Sequence, residues 1–441
     1  MRIDSLISAR WVIPVEPEGV VLDHHAVAIR NGQILEVLPT ADALNRYQPG
    51  THTDLPQHAL IPGLVNAHTH AAMALLRGVA DDMPMMDWLH KHIWPLESRW
   101  VGESFVHDGT ELAIAEMLRG GITCFNDMYF FPQVTARLAL QCGMRASVGM
   151  ILVDFPSAGG SGPDDYLSQG LALHDELRHQ NLIKTLFAPH APYSVSDGPL
   201  SRVRVLAAEL ERPIHMHVHE TADEVEQGRA SHGMRPLQRL DQLELLGPGF
   251  IGVHMTQLTD SEIELYARSG AHVVHCPESN LKLASGFCPV ARLLDAGINV
   301  ALGTDGAASN NDLDMLGEMR TAALLAKGLA GDARAVPAPV ALRMATLAGA
   351  RALGLESEIG SLVAGKSADI TAIDLGRLEN LPLFDPISDI VYAVGRQQVS
   401  DVWVAGRRLL KNRELTTLDQ SAIVAKACAW RERLAATATE A

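Results

Sequence analysis

The chain has 441 residues, of which 47% are hydrophobic and 20% are charged. This composition is typical of a globular protein, and the length predicts one large domain with a smaller one. The formal net charge of −16 disfavours a nucleic-acid partner, because nucleic-acid-binding proteins need a basic patch. No apolar run is long enough to span a membrane, and the N-terminus lacks the pattern of a signal peptide. The five cysteines are scattered and odd in number, so we expect a cytoplasmic protein without disulfides.

Both ends of the chain have the pattern of β-structure. Residues 26–37 read as strand, Asn31-Gly32 turn and strand, which is typical of a tight hairpin. Similar patterns return at 367–373 and 401–410. Neither end has enough strands for a stable sheet structure alone. We therefore predict one small β-sandwich domain formed by residues 1–58 and 359–441, with an Ala-rich helix near the C-terminus, at about 418–437.

Between these ends, short apolar strands alternate with amphipathic helices, which indicates an α/β fold. The predicted strands lie at 60–70, 122–128, 144–153, 185–190, 213–219, 250–254, 272–276 and 299–305. Eight such strands predict a closed (β/α)₈ TIM-like barrel over residues 59–358 and not an open, doubly wound sheet. No G-x-G-x-x-G follows a strand, so a dinucleotide site is not supported.

Two histidines, His68 and His70, end the first predicted strand. Residues two apart in a strand point to the same face, and two converging imidazoles suit Zn²⁺. An isolated pair of this kind is more often part of a polar turn. The fifth strand places His215, His217 and His219 on one face by the same rule. Spacing alone does not choose among these three.

His254 ends the sixth strand and Asp305 ends the eighth. Taken singly, His254 could be a buried structural histidine and Asp305 a helix cap. Active sites of such barrels lie at the C-terminal ends of the strands, where both residues fall together with the other histidines. Their joint placement predicts a catalytic metal centre with N and O ligands and room for a water molecule.

Several longer motifs carry a family resemblance. They are PGLVNAHTH at 62–70, APHAP at 188–192, HVHET at 217–221, GTD at 303–305, GSL at 360–362 and GKSAD at 365–369. On these motifs the chain resembles the amidohydrolase superfamily, in the branch of adenosine-type deaminases and triazine hydrolases. It is most similar to 5′-methylthioadenosine/S-adenosylhomocysteine deaminases, and the resemblance covers nearly the whole chain.

The resemblance implies a role for each matching residue. It assigns one divalent ion per chain, Zn²⁺, to His68, His70, His217 and Asp305. It makes Glu220 the proton shuttle, and it places His254 and Asp305 where they accept a proton from the catalytic water. It assigns substrate binding to Trp88, Glu97, His190 and Glu220.

The activity that the resemblance implies is hydrolysis of a C–N bond of a cyclic amidine. The substrate would be 5′-methylthioadenosine, S-adenosylhomocysteine or adenosine, and the products the inosine analogue and ammonia. A guanine-type or other free-base deaminase and a triazine chlorohydrolase are alternatives on the same scaffold. A non-catalytic metal-binding protein is a more remote alternative. Glu97 distinguishes the nucleoside from the free-base and triazine alternatives, because a substrate without ribose would not need a carboxylate there. A protein that only binds a metal would not need Glu220 as a proton shuttle.

Further expectations concern the metal count, the lid and the partners. Lys184 lies six residues before His190, too far along the strand to bridge two metals at its end, so we expect a mononuclear centre. The long segment 71–101 is predicted to form a lid, in which Trp88 and the Met-rich residues 83–86 either contact an apolar 5′-alkylthio group or only pack the lid onto the barrel. We expect a small-molecule nucleoside as partner and neither nucleic acid nor membrane. A homo-oligomer, a dimer or a tetramer, is a further expectation.

Overall fold

The computed structural model describes residues 1–438. The chain begins with β1 (Arg2–Val12), β2 (Leu22–Arg30), β3 (Gln33–Pro39), α1 (Thr40–Arg46) and β4 (Gln48–Pro62). Strands β2 and β3 form the predicted antiparallel hairpin. Its two turn residues, Asn31 and Gly32, have φ angles of 53° and 75°, as a two-residue hairpin turn of this type requires.

Eight parallel strands then form the predicted barrel. They are β5 (Leu64–Thr69), β6 (Ile122–Asp127), β7 (Arg145–Leu152), β8 (Ile183–Pro189), β9 (Ile214–Val218), β10 (Phe250–His254), β11 (His272–His275) and β12 (Asn299–Leu302). Each strand pairs with the next one in sequence. The chain beyond β12 returns to β5, where the Asp305 N–H donates to the His68 carbonyl at 3.0 Å. This contact brings the two edges of the sheet together above the core.

One predicted strand is wrong: the run 60–70 is two strands and not one. Its first part belongs to β4 in the small sheet, and its second part is β5 in the barrel. Gly63 separates them in tight contact with Thr123, since a Cβ atom at Gly63 would lie 2.0 Å from the Thr123 Oγ1. The apolar run continues through this break because both strands are buried.

The helices connect the barrel strands and cover them. They are α2 (Met85–Trp88), α3 (Trp94–Trp100), α4 (Glu103–Arg119), α5 (Pro132–Cys142), α6 (Pro163–Leu177), α7 (Asp197–Leu210), α8 (Ala222–His232), α9 (Pro236–Gln242), α10 (Asp260–Ser269), α11 (Pro277–Lys282), α12 (Val290–Asp295), α13 (Met315–Ala330), α14 (Ala338–Met344) and α15 (Leu347–Ala352). Within residues 1–438, no helix combines the length and the apolar character needed to cross a membrane.

The C-terminal part returns to the small sheet. It contains β13 (Ile370–Asp374), α16 (Pro386–Tyr392), β14 (Val399–Val404), β15 (Arg407–Lys411), β16 (Glu414–Leu415) and α17 (Gln420–Ala438). The strand order is β16-β15-β14-β13-β4-β1-β2-β3, so both ends of the chain build one mixed sheet, as expected. The buried Arg145 of β7 joins barrel and sheet through a 2.8 Å ion pair with Asp369. The domain limits at 58/59 and 358/359 stay a prediction.

Candidate active site

Four side chains converge at the C-terminal end of the barrel: His68, His70, His217 and Asp305. The Asp305 Oδ1 lies 3.2 Å from the His68 Nε2 and 3.1 Å from the His70 Nε2. The Nε2 atoms of His68 and His217 are 3.2 Å apart. Donors bound tetrahedrally to zinc at about 2.0–2.1 Å are separated by about 3.3 Å. These three donor pairs therefore have the spacing that a single zinc ion requires, and all four donor atoms lie within 4.8 Å of one another.

The second ring nitrogen of each histidine is held by the protein. The His70 Nδ1 lies 2.6 Å from the carbonyl of Met128, and the His217 Nδ1 lies 2.7 Å from the carbonyl of His190. Because a carbonyl accepts only from a protonated nitrogen, Nδ1 carries a proton in both rings, and Nε2 is the nitrogen that faces the centre. These hydrogen bonds orient the Nε2 atoms of both rings for coordination of a metal ion.

The other two histidines of the fifth strand have different contacts. The His215 Nε2 lies 3.2 Å from the Nδ1 of His68 and so contacts the outer side of that ring. His219 follows the end of β9 with a left-handed φ of 53°, and its Nε2 accepts the Leu237 N–H at 3.2 Å. Of the three, the structure brings His217 into the group of four donors.

Asp305 is oriented by two hydroxyl groups. Its Oδ2 accepts hydrogen bonds from the Oγ atoms of Ser279 and Ser309, each at 2.7 Å. Burial alone would raise the pKa of Asp305, but hydrogen bonds from His68 and His70 hold it well below its usual value. Oδ1 is consequently directed at the centre as a carboxylate oxygen.

Glu220 and His254 lie beside the four donors. The His254 Nε2 is 3.7 Å from the Glu220 Oε1, and the His254 Nδ1 lies 2.8 Å from the Oδ1 of Asn280. Since an amide oxygen only accepts, the Nδ1 donates to Asn280, and Nε2 is the nitrogen that faces Glu220. Burial raises the pKa of the Glu220 carboxyl, which makes it able to hold a proton at a higher pH than an exposed glutamate.

A cavity of about 980 Å³ extends from these residues to the lid. Its lining includes the predicted substrate residues Trp88, Glu97 and His190. Of the Met-rich segment, Met85 lines the cavity, whereas Met83 and Met86 are packed within the lid. All of the predicted site residues except His68 line this cavity, and His68 lies in the group of four donors.

Comparison with known proteins identifies the family. The sequence model of the amidohydrolase family matches residues 59–409. A 5-methylthioadenosine/S-adenosylhomocysteine deaminase from Saccharophagus degradans is 52% identical over 433 residues, which are 98% of this chain and 97% of that protein. The chain belongs to the amidohydrolase family.

Solved structures of other proteins agree with this assignment. An adenosine deaminase from Xanthomonas campestris with bound zinc is 56% identical, with a TM-score of 0.98 and 99% of each chain covered. A triazine hydrolase variant is 24% identical, with a TM-score of 0.90 over 97% of this chain and 99% of that one. At this level of identity the triazine hydrolase shows the fold alone.

This amidohydrolase holds Glu97 in a way that the sequence did not indicate. The Tyr129 hydroxyl donates to the Glu97 Oε1 at 2.6 Å, so Oε2 remains available to a ligand. Burial raises the pKa of Glu97, and the hydrogen bond from Tyr129 opposes that shift. Tyr129 lies two residues after the end of β6, and no sequence motif marks it as a binding residue.

The nearby aromatic and imidazole groups are also placed for a ligand. Trp88 is 6% exposed, and its indole Nε1 has no hydrogen-bond partner among residues 1–438. Burial lowers the pKa of His190 to about 4, with nearby His70 and His68 adding to the shift. His190 is therefore neutral at pH 7, and its Nδ1 lies 2.9 Å from the Ser194 hydroxyl.

Lys184 lies away from the metal donors of this amidohydrolase. Its Nζ is 3.6 Å from the carboxylate of Glu358, a residue that also contacts Arg145 near the small sheet. Its position is consistent with the mononuclear centre that we expect.

Proposed function

We propose that this protein is a metal-dependent hydrolytic deaminase of adenine nucleosides. It converts 5′-methylthioadenosine, S-adenosylhomocysteine or adenosine to the corresponding inosine compound and ammonia. The observation that carries the proposal is the presence of Glu220, beside four metal donors, and Glu97 in one cavity. The names of the similar deaminases support the same activity.

The metal would be zinc, one ion per chain, held by His68, His70, His217 and Asp305. When bound, zinc supplies Lewis acidity that makes a hydroxide nucleophile available near neutral pH. The donor set of three neutral imidazoles and one carboxylate suits this ion and leaves space for water.

Glu220 is the general acid in this proposal. Its raised pKa allows it to carry a proton to N1 of the purine, which withdraws electrons from C6 and prepares that carbon for attack. His254 and Asp305 accept the proton of the attacking water in this proposal. Glu220, now a carboxylate, takes the remaining water proton from the new C6 hydroxyl group and passes it to the amino group, and the proton accepted by His254 or Asp305 returns to Glu220 at the end of the cycle. The C6–N bond breaks and ammonia leaves, so that water has replaced the amine with no change in oxidation state.

Glu97 and His190 bind and orient the nucleoside. The free oxygen of Glu97 accepts hydrogen bonds from the ribose hydroxyls, while Tyr129 fixes the other oxygen. His190 offers a neutral imidazole to the purine, and Trp88 supplies an apolar surface with one donor.

The cavity favours a neutral 5′ substituent over an amino-acid group. Arg239 is the one arginine or lysine lining it among the described residues. Its guanidinium is already engaged by Asp197 at 2.6 Å and by the carbonyls of Pro192 and Val195. A carboxylate on the 5′ side therefore finds no free cation. We infer that 5′-methylthioadenosine and adenosine are better substrates than S-adenosylhomocysteine, with Met85 and Trp88 packing against the methylthio group.

The substitution Glu97→Ala tests the nucleoside assignment. We expect kcat/KM to fall by roughly 10- to 100-fold for each nucleoside, since truncating a charged hydrogen-bond partner costs about 1.5–3 kcal/mol. The metal content should not change. Steady-state ammonia release from methylthioadenosine and adenosine, with metal analysis of the same samples, provides the measurement.

Two variants control for indirect effects on the lid. Asp87→Ala removes another lid carboxylate, one that pairs with Lys91 and does not line the cavity, and it should be close to wild type. Tyr129→Phe keeps the Glu97 carboxylate and should lose less activity than Glu97→Ala. Unchanged nucleoside deamination in Glu97→Ala would refute the ribose contact and favour a free-base or triazine substrate.

Several expectations about partners remain part of the proposal. The partner is a small-molecule nucleoside. Location in the cytoplasm and assembly as a homo-oligomer stay predictions from sequence.

A further inference from the structure

Two helices of the barrel begin with the same sequence pattern, Thr-x-x-Glu. Thr221 and Glu224 start α8 after β9, and Thr259 and Glu262 start α10 after β10. This pattern predicts a capping box, in which the threonine and the glutamate satisfy each other's backbone N–H groups. Helix α10 has this arrangement: the Glu262 carboxylate accepts the Thr259 N–H at 2.8 Å.

Helix α8 uses its glutamate differently. The Thr221 Oγ1 accepts the Glu224 N–H at 3.2 Å, as a cap should. The Glu224 carboxylate, however, reaches back beyond Thr221 into the turn that follows β9. Its Oε1 accepts the His219 N–H at 2.9 Å, and its Oε2 accepts the Glu220 N–H at 2.7 Å. Both oxygens of a buried carboxylate thus bind consecutive N–H groups, one of them that of Glu220 itself.

The Glu220 side chain depends on this turn for its direction. Its carboxylate accepts no hydrogen bond from any residue among 1–438, and the 3.7 Å approach of the His254 Nε2 is too long to fix it. The Glu220 backbone is held instead, by Glu224 at the N–H and by the Thr256 hydroxyl at the carbonyl, 2.7 Å away.

The turn also contains a residue that needs support. His219 has a left-handed φ of 53°, a conformation that costs a non-glycine residue on the order of 1 kcal/mol or more unless its surroundings hold it. The Glu224 Oε1 binds the N–H of this same residue. Loss of this hydrogen bond would allow the backbone at His219 to relax toward the extended form. Glu220 would then turn away from the metal donors.

We propose that Glu224 is a positioning residue for the deamination: its carboxylate fixes the backbone of His219 and Glu220, so that the Glu220 carboxyl points at the reacting ring. This inference rests on the proposed function, in which Glu220 transfers the proton. Glu224 does not line the main cavity, so it acts through Glu220 and not on the substrate. A displacement of about 1 Å at a proton-transfer group is enough to cost roughly 100-fold in rate.

The substitution Glu224→Gln tests the proposal in zinc-loaded full-length enzyme. The amide has the same size but only one acceptor oxygen, so one of the two backbone N–H groups loses its partner. We expect kcat for 5′-methylthioadenosine to fall roughly 10- to 100-fold, with KM within about threefold of wild type and one equivalent of zinc retained. Asp385→Asn is the matched control, because Asp385 also accepts two N–H groups at a helix start but lies at α16, and its kcat should not change.

A double-mutant cycle with Glu220→Gln separates positioning from a general structural effect. If Glu224 acts through Glu220, Glu224→Gln should lower the residual rate of the Glu220→Gln enzyme little or not at all. An equal fractional loss in both backgrounds would overturn the proposal. A second variant, Thr221→Ala, removes the cap of α8 but leaves the Glu224 carboxylate in place. It should lower kcat less than Glu224→Gln does.

The outcomes also distinguish this inference from the proposed function. Wild-type enzyme that releases no ammonia from any nucleoside contradicts the proposed function itself. Active wild type with an equally active Glu224→Gln variant contradicts only the role of Glu224. Loss of zinc or of folded structure in both Glu224→Gln and Thr221→Ala would show that Glu224 is needed for folding. That result would also overturn the positioning role.

Discussion

Glu220→Gln should retain the metal and bind nucleosides but lose turnover by roughly 100-fold or more, the range expected when a general acid is removed. The amide keeps the volume of the side chain and its ability to form hydrogen bonds, but its N–H protons are not acidic enough to be transferred. Burial raises the pKa of Glu220. This shift affects the rate of deamination only if Glu220 transfers a proton. Single-turnover deamination of 5′-methylthioadenosine, with zinc content measured on the same sample, checks this expectation.

The matched control is Glu226→Gln. Glu226 lies on α8 near Glu220, but its carboxylate is exposed and pairs with Arg229 at 2.9 Å. This variant should have wild-type kcat and KM. Near-normal turnover of a zinc-replete Glu220→Gln enzyme would count decisively against the proton-transfer role.

His217→Ala and Asp305→Ala should lose zinc and, with it, activity. Each substitution removes one of four donors, three pairs of which lie 3.1–3.2 Å apart, and the three that remain hold the ion weakly. Elemental analysis after gel filtration should give about one zinc per chain for wild type and much less for both variants.

His219→Ala is the control for the metal prediction, because His219 belongs to the same strand end but contacts Leu237 and not the donors. It should retain zinc. Loss of zinc in His219→Ala together with normal zinc in His217→Ala would show that the wrong histidine has been assigned.

The site could be predicted from sequence where it depends on local periodicity. Strand alternation predicted that His68 and His70 point to one side, and the barrel rule placed His254 and Asp305 at the same end. Alternation could not choose among the three histidines of the fifth strand, since all three share one face. The choice depends on distances across the barrel and on the left-handed turn at His219, neither of which appears in the sequence pattern.

Other features escaped prediction for related reasons. Ser279 lies in α11 and Ser309 in the turn after β12, and the two meet at Asp305 only when the barrel closes. Tyr129 reaches Glu97 because the lid folds over the end of β6. The break at Gly63 was missed because strands on both sides are apolar, and only the packing against Thr123 shows why a residue without a side chain is needed there.

The most direct test of the central claim is ammonia release by zinc-loaded wild-type enzyme from a panel of 5′-methylthioadenosine, adenosine, S-adenosylhomocysteine, guanine and a chlorotriazine, with chloride release measured for the last. The account predicts rapid formation of ammonia and the inosine product from 5′-methylthioadenosine and adenosine, slower reaction of S-adenosylhomocysteine, and no significant reaction of guanine or the triazine. Faster reaction of guanine or of the chlorotriazine than of every nucleoside, or no ammonia from any nucleoside, would contradict it.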